Sequence, residues 1–510
     1  MKRVLVSVFN KEGIIDFVKE LEILGWEIIS TGGTSKILES AGIDVLDVEV
    51  VTGFPEILDG RVKTLNPYIH GGLLYKRKDP SHVETIKDME IYPIDMVVNN
   101  LYPFEETVNK VGVEQDEIIE NIDIGGPSMI RAAAKNYEDV SVIVDPKDYE
   151  LILEELKSSG ETKISTRQYL ARKVFNYTAY YDTLISNYFN KIEGEEFPDY
   201  LTLGYKSKQE LRYGENPHQK AAFYREAHKI EGTIAGAIQL HGKELSYNNI
   251  NDGNGAIEAL KEFNEPTVVA VKHANPCGIG SGEDILEAYE KAYECDKISI
   301  FGGIIAANRE INEKVAERIN ELFLEIIIAP SFTEKALKIL TQKKNIRLIQ
   351  IEDIQERSYL ELDMKKVIGG ILVQDRDDIL WNEDLTVVTK RKPTEKEMED
   401  MLFAWRAVKN VKSNGVVLVK DKATIGIGLG EVNRIWAVEN AIERAGEKAT
   451  DGVLASDGFF PFKDSIERLA KAHISAIIQP GGSLKDSEVI EEANKYGIAM
   501  IFTGMRHFKH

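Results

Sequence analysis

Short apolar runs rich in β-branched residues alternate along the chain with stretches whose apolar positions recur every three or four residues. Val4–Phe9 predicts a strand, Gly13–Leu24 a helix, Glu27–Ser30 a strand and Thr34–Ala41 a helix. Met96–Leu101 predicts a further strand, Ser128–Asn136 a helix, Val140–Val144 a strand and Thr166–Asn190 a long helix. This alternation is that of an α/β domain with a mainly parallel sheet, where ligands bind beyond the carboxyl ends of strands. The acidic, Gly- and Pro-containing segment Glu193-Gly194-Glu195-Glu196-Phe197-Pro198-Asp199 interrupts the pattern, so a first domain is expected over 1–195. A second α/β part is expected over 200–510, with strands at Thr267–Lys272, Gly303–Ala307, Ile326–Ala329, Val416–Lys420, Gly452–Ser456 and Ala476–Gln479. The polar stretch Glu383–Lys396 is expected to join two lobes, about 200–380 and 381–510. Each lobe pairs glycine-rich turns with strands ending in polar residues, the form of a diverged repeat, although no sequence identity between them stands out.

Composition narrows the classes. A chain of 510 residues suits two to four folded units. The apolar run at Glu325-Ile326-Ile327-Ile328-Ala329 is far too short to span a bilayer, so no membrane is expected. Met1–Val8 reads as a first strand, because Asn10-Lys11-Glu12-Gly13 cuts it off before a signal peptide's apolar region would end. Two cysteines, Cys277 and Cys295, give no disulfide framework and suit a reducing cytoplasm. The net charge of −21 argues against a nucleic-acid partner. Small phosphorylated ligands remain open, since they need only backbone N–H groups and one or two cations.

Four segments of the first domain carry candidate chemistry. Ser30-Thr31-Gly32-Gly33-Thr34 follows a strand and opens a helix, a place for an anion. Asp59-Gly60-Arg61-Val62-Lys63-Thr64-Leu65-Asn66-Pro67 is a loop with two cations and a hydroxyl. Asn99-Asn100-Leu101-Tyr102 ends a strand with two amides and a phenol, poor material for a core. Asp123-Ile124-Gly125-Gly126-Pro127 opens a helix whose Arg131 and Lys135 share one face, so that one ligand can meet both a carboxylate and a lysine.

Together these segments resemble the inosine monophosphate cyclohydrolase domain of the methylglyoxal-synthase-like group, from residue 1 to about 195. The resemblance implies substrate contacts at Asn10 and Lys11, at Thr31, Gly32, Gly33 and Thr34, and at Arg61, Lys63 and Thr64. Further contacts are implied at Asn99, Asn100, Asp123 and Ile124, and chemistry at Lys63, Tyr102, Asp123 and Lys135. Asn66 stands where the family motif has a histidine, which bears on a histidine role at that position alone. Ring closure needs the carboxamide nitrogen oriented against the formyl carbon and fixed donors for the oxygen that becomes negative. Lys63, Lys135 or Tyr102 can donate and Asp123 can orient the amide or accept a proton; the sequence does not divide these roles.

The second part carries Leu211-Arg212-Tyr213-Gly214-Glu215-Asn216-Pro217-His218 and Leu245-Ser246-Tyr247-Asn248-Asn249-Ile250-Asn251-Asp252, two polar loops. Val268–Val271 delivers Lys272-His273 to a strand end, where Asn275-Pro276 is expected to take the chain out of the strand. Asp457-Gly458-Phe459-Phe460-Pro461-Phe462-Lys463-Asp464 is expected to expose aromatics beside carboxylates, a surface for a flat heterocycle. The last residues, Thr503–His510, are patterned like a docked segment.

These motifs resemble aminoimidazole carboxamide ribotide (AICAR) formyltransferase over about 200–510, which implies two cytidine-deaminase-like lobes. The deaminase zinc signature is missing, because Asn275-Pro276-Cys277-Gly278 holds a single thiol, and no metal is expected. The resemblance implies a catalytic pair at Lys272 and His273, with Asn414 as a further oxyanion donor. Ribotide contacts are implied at Arg212, Tyr213, Asn249, Gly302 and Glu325, and at Arg434, Pro461, Asp464, Arg506 and His510. A histidine, which titrates near neutrality, suits removal of the amine proton, and a lysine suits the oxyanion or the leaving folate nitrogen. The expected activity is formyl transfer from 10-formyltetrahydrofolate to AICAR, giving FAICAR, then ring closure to IMP, the last steps of purine synthesis, in a homodimer. Two other readings are a phosphorylated-ligand lyase joined to a deaminase-like domain and a nucleotide sensor without turnover. The missing zinc ligands weigh against the first. A sensor has no need of Lys272-His273 beside Asn414.

Overall fold

The computed structural model describes all residues except 228–229, 358–361 and 382–384. Packing divides the chain into two units between Lys206 and Ser207, with a short segment from Glu226 returning to the first. The helix Ile164–Glu193 ends at Gly194 in the left-handed conformation, where the sequence pattern breaks, and the packing division follows about a dozen residues later.

The first unit is built on β1 (Arg3–Val8), β2 (Glu27–Ser30), β3 (Val45–Asp47), β4 (Met96–Asn100) and β5 (Ser141–Ile143). Their order is β3-β2-β1-β4-β5 and every pairing is parallel. Helices cover both faces, so β1 and β4 read as nearly continuous apolar runs; Val4, Leu5, Val6, Met96 and Val97 are fully buried. The strand order reverses between β1 and β4, the switch point beyond whose strand ends such sheets form their ligand crevice.

A two-stranded ribbon of β6 (Tyr205–Leu211) and β7 (Ala221–Glu226) lies at the division. In the second unit the strands of the first lobe are β8 (Ile238–His241), β9 (Thr267–Lys272), β10 (Asn275–Ser281), β11 (Ile304–Ala307), β12 (Ile326–Ala329) and β13 (Arg347–Gln350). A ribbon of β14 (Asp363–Val367) and β15 (Gly370–Gln374) follows. The second lobe supplies β16 (Thr386–Val387), β17 (Val416–Lys420), β18 (Ala423–Gly428), β19 (Val453–Ser456), β20 (Ala476–Gln479) and β21 (Ala499–Phe502). Glu383, the first residue of the expected joint, lies outside the described residues.

The two lobes share one sheet, ordered β16-β21-β20-β19-β17-β18-β10-β9-β11-β12-β13-β8. Outward from the β10–β18 seam, each half repeats the other: a hairpin, two parallel strands reached by helices, a third parallel strand and an antiparallel edge strand. The diverged repeat is therefore real. It has a constant offset of 148 residues across the hairpin region, as in Asp252 and Asp400, Lys272 and Lys420, Gly278 and Gly426, and Gly280 and Gly428.

At the seam the helices Ile285–Cys295 and Arg434–Ala445 lie directly on β10 and β18. A Cβ at Gly278 would stand 2.0 Å from Ala292 O, and one at Gly428 would stand 1.9 Å from Ala437 O. Only glycine permits that approach. Gly428→Ala is therefore expected to cost about 1–3 kcal/mol or more by overpacking, measured as a lower melting temperature; an unchanged melt would contradict the contact.

Candidate active sites

The crevice of the first unit is shaped by side chains that serve the backbone. Asn100 Oδ1 accepts from Phe9 N and Asn10 N, both at 2.7 Å, and its Nδ2 donates to Asn10 O at 3.1 Å. This ties the end of β1 to the end of β4. Asn99 is buried rather than displayed, with Nδ2 donating to Ser7 O at 2.5 Å and Oδ1 left without a partner. Thr31 precedes the helix Gly32–Ser40, so Gly32, Gly33 and Thr34 form its first turn, as the sequence predicts. Thr34 Oγ1 bridges Val8 N at 3.2 Å and Val8 O at 3.1 Å, and accepts from Lys11 Nζ at 3.2 Å.

Cations gather at this helix mouth. Lys63 Nζ lies 3.6 Å from where a Cβ of Gly32 would stand, and Gly32 has φ 54°. Burial, then the like charge of Lys63, lowers the Lys11 pKa. Two ammonium groups and the free N–H groups of a helix N-terminus make a strong anion site inside an acidic protein. Thr64, buried, has Oγ1 2.9 Å from the Cβ position of Gly125. Asp123 accepts from Gly126 N at 2.8 Å and faces the Tyr102 N–H. Burial raises its pKa, opposed by those N–H groups and by Lys63. Tyr181 fixes the segment, its hydroxyl accepting from Asp123 N at 2.9 Å and donating to Asn121 O at 2.9 Å. Tyr102 is partly exposed on the rim, edge-on to Phe9. Ile124 is exposed, and Arg61 is ion-paired with Glu120 at the surface.

Asn66 serves its own helix, capping Pro67–Leu74 by accepting from Tyr68 N at 2.9 Å. Asp123 and Lys135 stand toward opposite ends of one helix. The helix Gly125–Lys135 carries Lys135 about 15 Å from its first residue. There it opens, exposed, onto a separate cleft of about 760 Å³ with His70, Arg131 and Arg172.

In the second unit, β9 runs toward one edge of the sheet, the upper edge. The chain turns at His273 and Ala274, whose φ values of 53° and 57° are left-handed. Asn275-Pro276 does not leave the sheet, as its sequence suggests, but starts β10. The tight turn keeps Lys272 and His273 at one edge; Lys272 Nζ donates to Phe301 O at 2.8 Å, and His273 is exposed. β11 and β12 start at the same edge, which places Gly302 and Glu325 nearby. Glu325 Oε2 accepts from Asn249 Nδ2 at 2.8 Å. Asn248, beside Asn249, reaches Glu215 O of the Arg212–Tyr213 loop at 3.4 Å.

The second lobe brings its strand-end loops to this edge. Asn414 follows a cis peptide and is held on both sides: Nδ2 donates to Glu431 O at 2.7 Å, and Oδ1 accepts from Arg434 Nη2 at 2.8 Å. Arg434 is buried against Asp457 and Ser456, with Nη1 to Asp457 Oδ1 at 2.5 Å, so it orients Asn414. Asp457 also accepts from Ser413 Oγ at 2.5 Å and Gly415 N at 2.9 Å. The C-terminal segment docks here: His507 N donates to Asp457 O at 3.0 Å and Ser413 N to Lys509 O at 2.9 Å. Arg506 and His510 flank Phe508 and are exposed. Of the three aromatics near Pro461, Phe459 and Phe462 are exposed but Phe460 is fully buried, and Asp464 is exposed at a helix start. Strand spacing sets Lys272 and Asn414 about 14 Å apart, across β10 and β18. Among the described residues, no group of three or more His, Cys, Asp or Glu is arranged to hold a metal ion.

Two family models match this chain. One, described as AICARFT/IMPCHase bienzyme, covers residues 133–444; the other, an MGS-like domain, covers 13–128. The chain belongs to the AICARFT/IMPCHase bienzyme family. Relatives named bifunctional purine biosynthesis protein PurH match over the whole of both chains: 60% identical in Acetivibrio thermocellus, 57% in Caldicellulosiruptor saccharolyticus and 58% in a Thermoanaerobacter species. A solved structure titled crystal structure of ForH is 33% identical over 37% of this chain and 98% of its own, with a TM-score of 0.33. The chain is thus a two-activity enzyme of purine biosynthesis, an AICAR formyltransferase and IMP cyclohydrolase, with an MGS-like parallel-sheet domain first. Sequence reasoning missed Asp457 and Ser413 as supports of the bienzyme's upper edge. No helix among the described residues is long and apolar enough to cross a membrane.

Asn100→Ala releases the end of β1 from the end of β4 beside the helix mouth at Gly32. Ring closure is expected to show a KM at least about tenfold higher with a smaller change in kcat, and formyl transfer should be unchanged. Equal loss of both activities would mean that Asn100 supports the fold alone.

Proposed function

We propose that ring closure takes place at the β1–β4 crevice and formyl transfer at the upper edge of the second unit, with 10-formyltetrahydrofolate as the one-carbon donor. The crevice reading is carried by the convergence of Lys11, Lys63 and the helix mouth at Gly32 for a phosphate, beside the buried Asp123. The carboxamide nitrogen attacks the formyl carbon while Asp123 takes a proton from it. The developing oxyanion is met by Lys63 or Tyr102, and loss of the hydroxyl with a further proton releases water.

At the upper edge the turn presents His273 and Lys272 side by side. His273 removes the proton of the ribotide amine as its nitrogen attacks the formyl carbon. Lys272 neutralises the oxyanion and protonates the folate nitrogen as the carbon–nitrogen bond breaks. Asn414, Arg212, Tyr213, Asn249, Gly302, Glu325, Pro461, Asp464, Arg506 and His510 are read as ribotide contacts or donors, with Arg434 acting through Asn414. The enzyme is read as cytoplasmic, in keeping with two free thiols held protonated; burial pushes Cys277 up to about 12 and Cys295 to about 11.

The protein is further read as a homodimer in which Lys135, about 15 Å along its helix from the Gly125 end, serves the crevice of the second copy. Mixing Asp123→Asn with Lys135→Leu protein, each inactive in ring closure, is then expected to restore activity in mixed dimers. No recovery after subunit exchange would confine Lys135 to its own cleft.

His273→Ala is expected to lower formyl transfer by about 10²–10⁴-fold while leaving closure of supplied FAICAR intact. Near-normal transfer by the folded variant would remove His273 from the mechanism. The raised pKa of Asp123 gives a pH test. As a base it works only ionised, so closure should fail with falling pH at a value above that of an ordinary aspartate. A pH profile of kcat with its acid limb at or below the ordinary aspartate range would count against Asp123 as the base.

A further inference from the structure

The turn that carries His273 is costly as it stands. Type I′ turns place both central residues at positive φ and favour asparagine and glycine; here the two positions are His273 and Ala274. Something outside the turn must hold it.

The second lobe contains the same turn, and its holder is plain. Asp421 and Lys422, at φ 56° and 55°, stand 148 residues after His273 and Ala274. The buried carboxylate of Asp400 grips both backbone N–H groups, Asp421 N at 3.0 Å and Lys422 N at 2.7 Å. Asp400 is the sixth residue of the helix Glu395–Val408, which leads into that hairpin.

The corresponding residue of the first lobe is Asp252, sixth in the helix Tyr247–Leu260 and 21 residues before His273, as Asp400 is before Asp421. Its carboxylate faces the backbone N–H groups of Ala274 and His273, and the imidazole beside it. The helix also lies directly against this turn, since a Cβ at Gly255 would meet Ala274 O at 3.2 Å. On the far side, Asn275 Nδ2 donates to His273 O at 2.8 Å.

We propose that Asp252 is a positioning residue for formyl transfer: it clamps the His273–Ala274 turn and so fixes the imidazole and Lys272 at the upper edge. The inference rests on the reading of Lys272 and His273 as the reacting pair. The two lobes use the same clamp for different ends. In the second lobe the turn residues are consumed by surface ion pairs, Lys396 with Asp421 and Lys422 with Glu265 at 3.1 Å. In the first, the clamped turn presents an exposed histidine.

The twin provides the control. Asp252→Asn and Asp252→Ala, and Asp400→Asn and Asp400→Ala, are made in the full-length protein. Formyl transfer, closure of supplied FAICAR and thermal melting are measured on each. The clamp predicts that Asp252→Ala lowers kcat for formyl transfer by up to about 10²-fold through misplacement of the pair. KM values should move little, closure should be unchanged, and Asp252→Asn, which keeps one acceptor oxygen, should lose less. The Asp400 variants should lower the melting temperature as much or more, with formyl transfer nearly intact. The proposal is overturned if folded Asp252 variants keep normal kcat, or if Asp400 variants lose formyl transfer equally. If Asp252→Ala does not fold, Asp252→Asn decides by the same criteria. His273→Ala assayed alongside separates the two failures: normal transfer by that variant defeats the reading of the pair, whereas its loss beside a normal Asp252→Asn defeats only the clamp.

Discussion

The second unit depends on backbone lying against backbone at the centre of its sheet. The glycine rows Gly278–Gly280 and Gly426–Gly428 let a helix from each lobe rest on its own hairpin with no side chain between them. The hairpins then meet at the seam, where Thr424 Oγ1 accepts from Ile279 N at 2.8 Å and donates to Ile279 O at 3.2 Å. Thickening that layer by a methyl group would push helix from strand and change the spacing across β10 and β18. That spacing is what sets the His273 turn relative to Asn414, so a packing constraint in the core fixes the dimensions of the upper edge.

The near two-fold relation of the lobes yields two equivalent edges with different fates. At the upper edge, the first lobe's turn faces the second lobe's strand-end loops, and Asn414, Arg434 and Asp457 form a buried, bonded frame beneath exposed groups. At the lower edge, the second lobe's turn faces the first lobe's loops. There Lys422 bridges Glu265 and Glu399, and Asn308 is buried, accepting from Thr267 N at 2.8 Å where Asp457 in the other lobe accepts from Gly415 N. The lower turn is engaged in ion pairs, where the upper turn presents an exposed His273. Duplication supplied two scaffolds whose edges carry different side chains.

The MGS-like unit meets a different constraint, gathering cations in a protein of net charge −21. The solution is local. A helix mouth, Lys11 and Lys63 converge at the switch point of the sheet, and burial, then the like charge of Lys63, lowers the Lys11 pKa. The neighbouring Asp123 is partly buried, which raises its pKa, opposed by the Gly126 and Tyr102 N–H groups and by Lys63. A buried carboxylate beside a fixed cation has its charge set by the site and not by bulk solvent.

The sequence by itself determined the elements and the list of chemical groups. Strands at Glu27–Ser30, Thr267–Lys272, Ile326–Ala329, Val416–Lys420 and Ala476–Gln479 fall as their apolar runs predict, because local periodicity reports which faces are buried. The helix mouth at Gly32 and the reactive Lys272–His273 dipeptide were equally legible, since each is written in consecutive residues. What the tertiary structure alone decided was who stands beside whom. It showed that His273 and Ala274 make the turn while Asn275-Pro276 stays in the sheet, because pairing along β9 and β10 outweighs the local preference of a proline. It buried Asn99 and Phe460, put Arg434 to work on Asn414, and carried Lys135 to the far end of its helix from Asp123. It also revealed the repeat: the two lobes have kept the glycines that packing demands and an aspartate 21 residues before each turn, while most of the remaining side chains diverged. Such positions are too sparse to stand out along a chain, and become a pattern only when strand pairing lays one lobe beside the other.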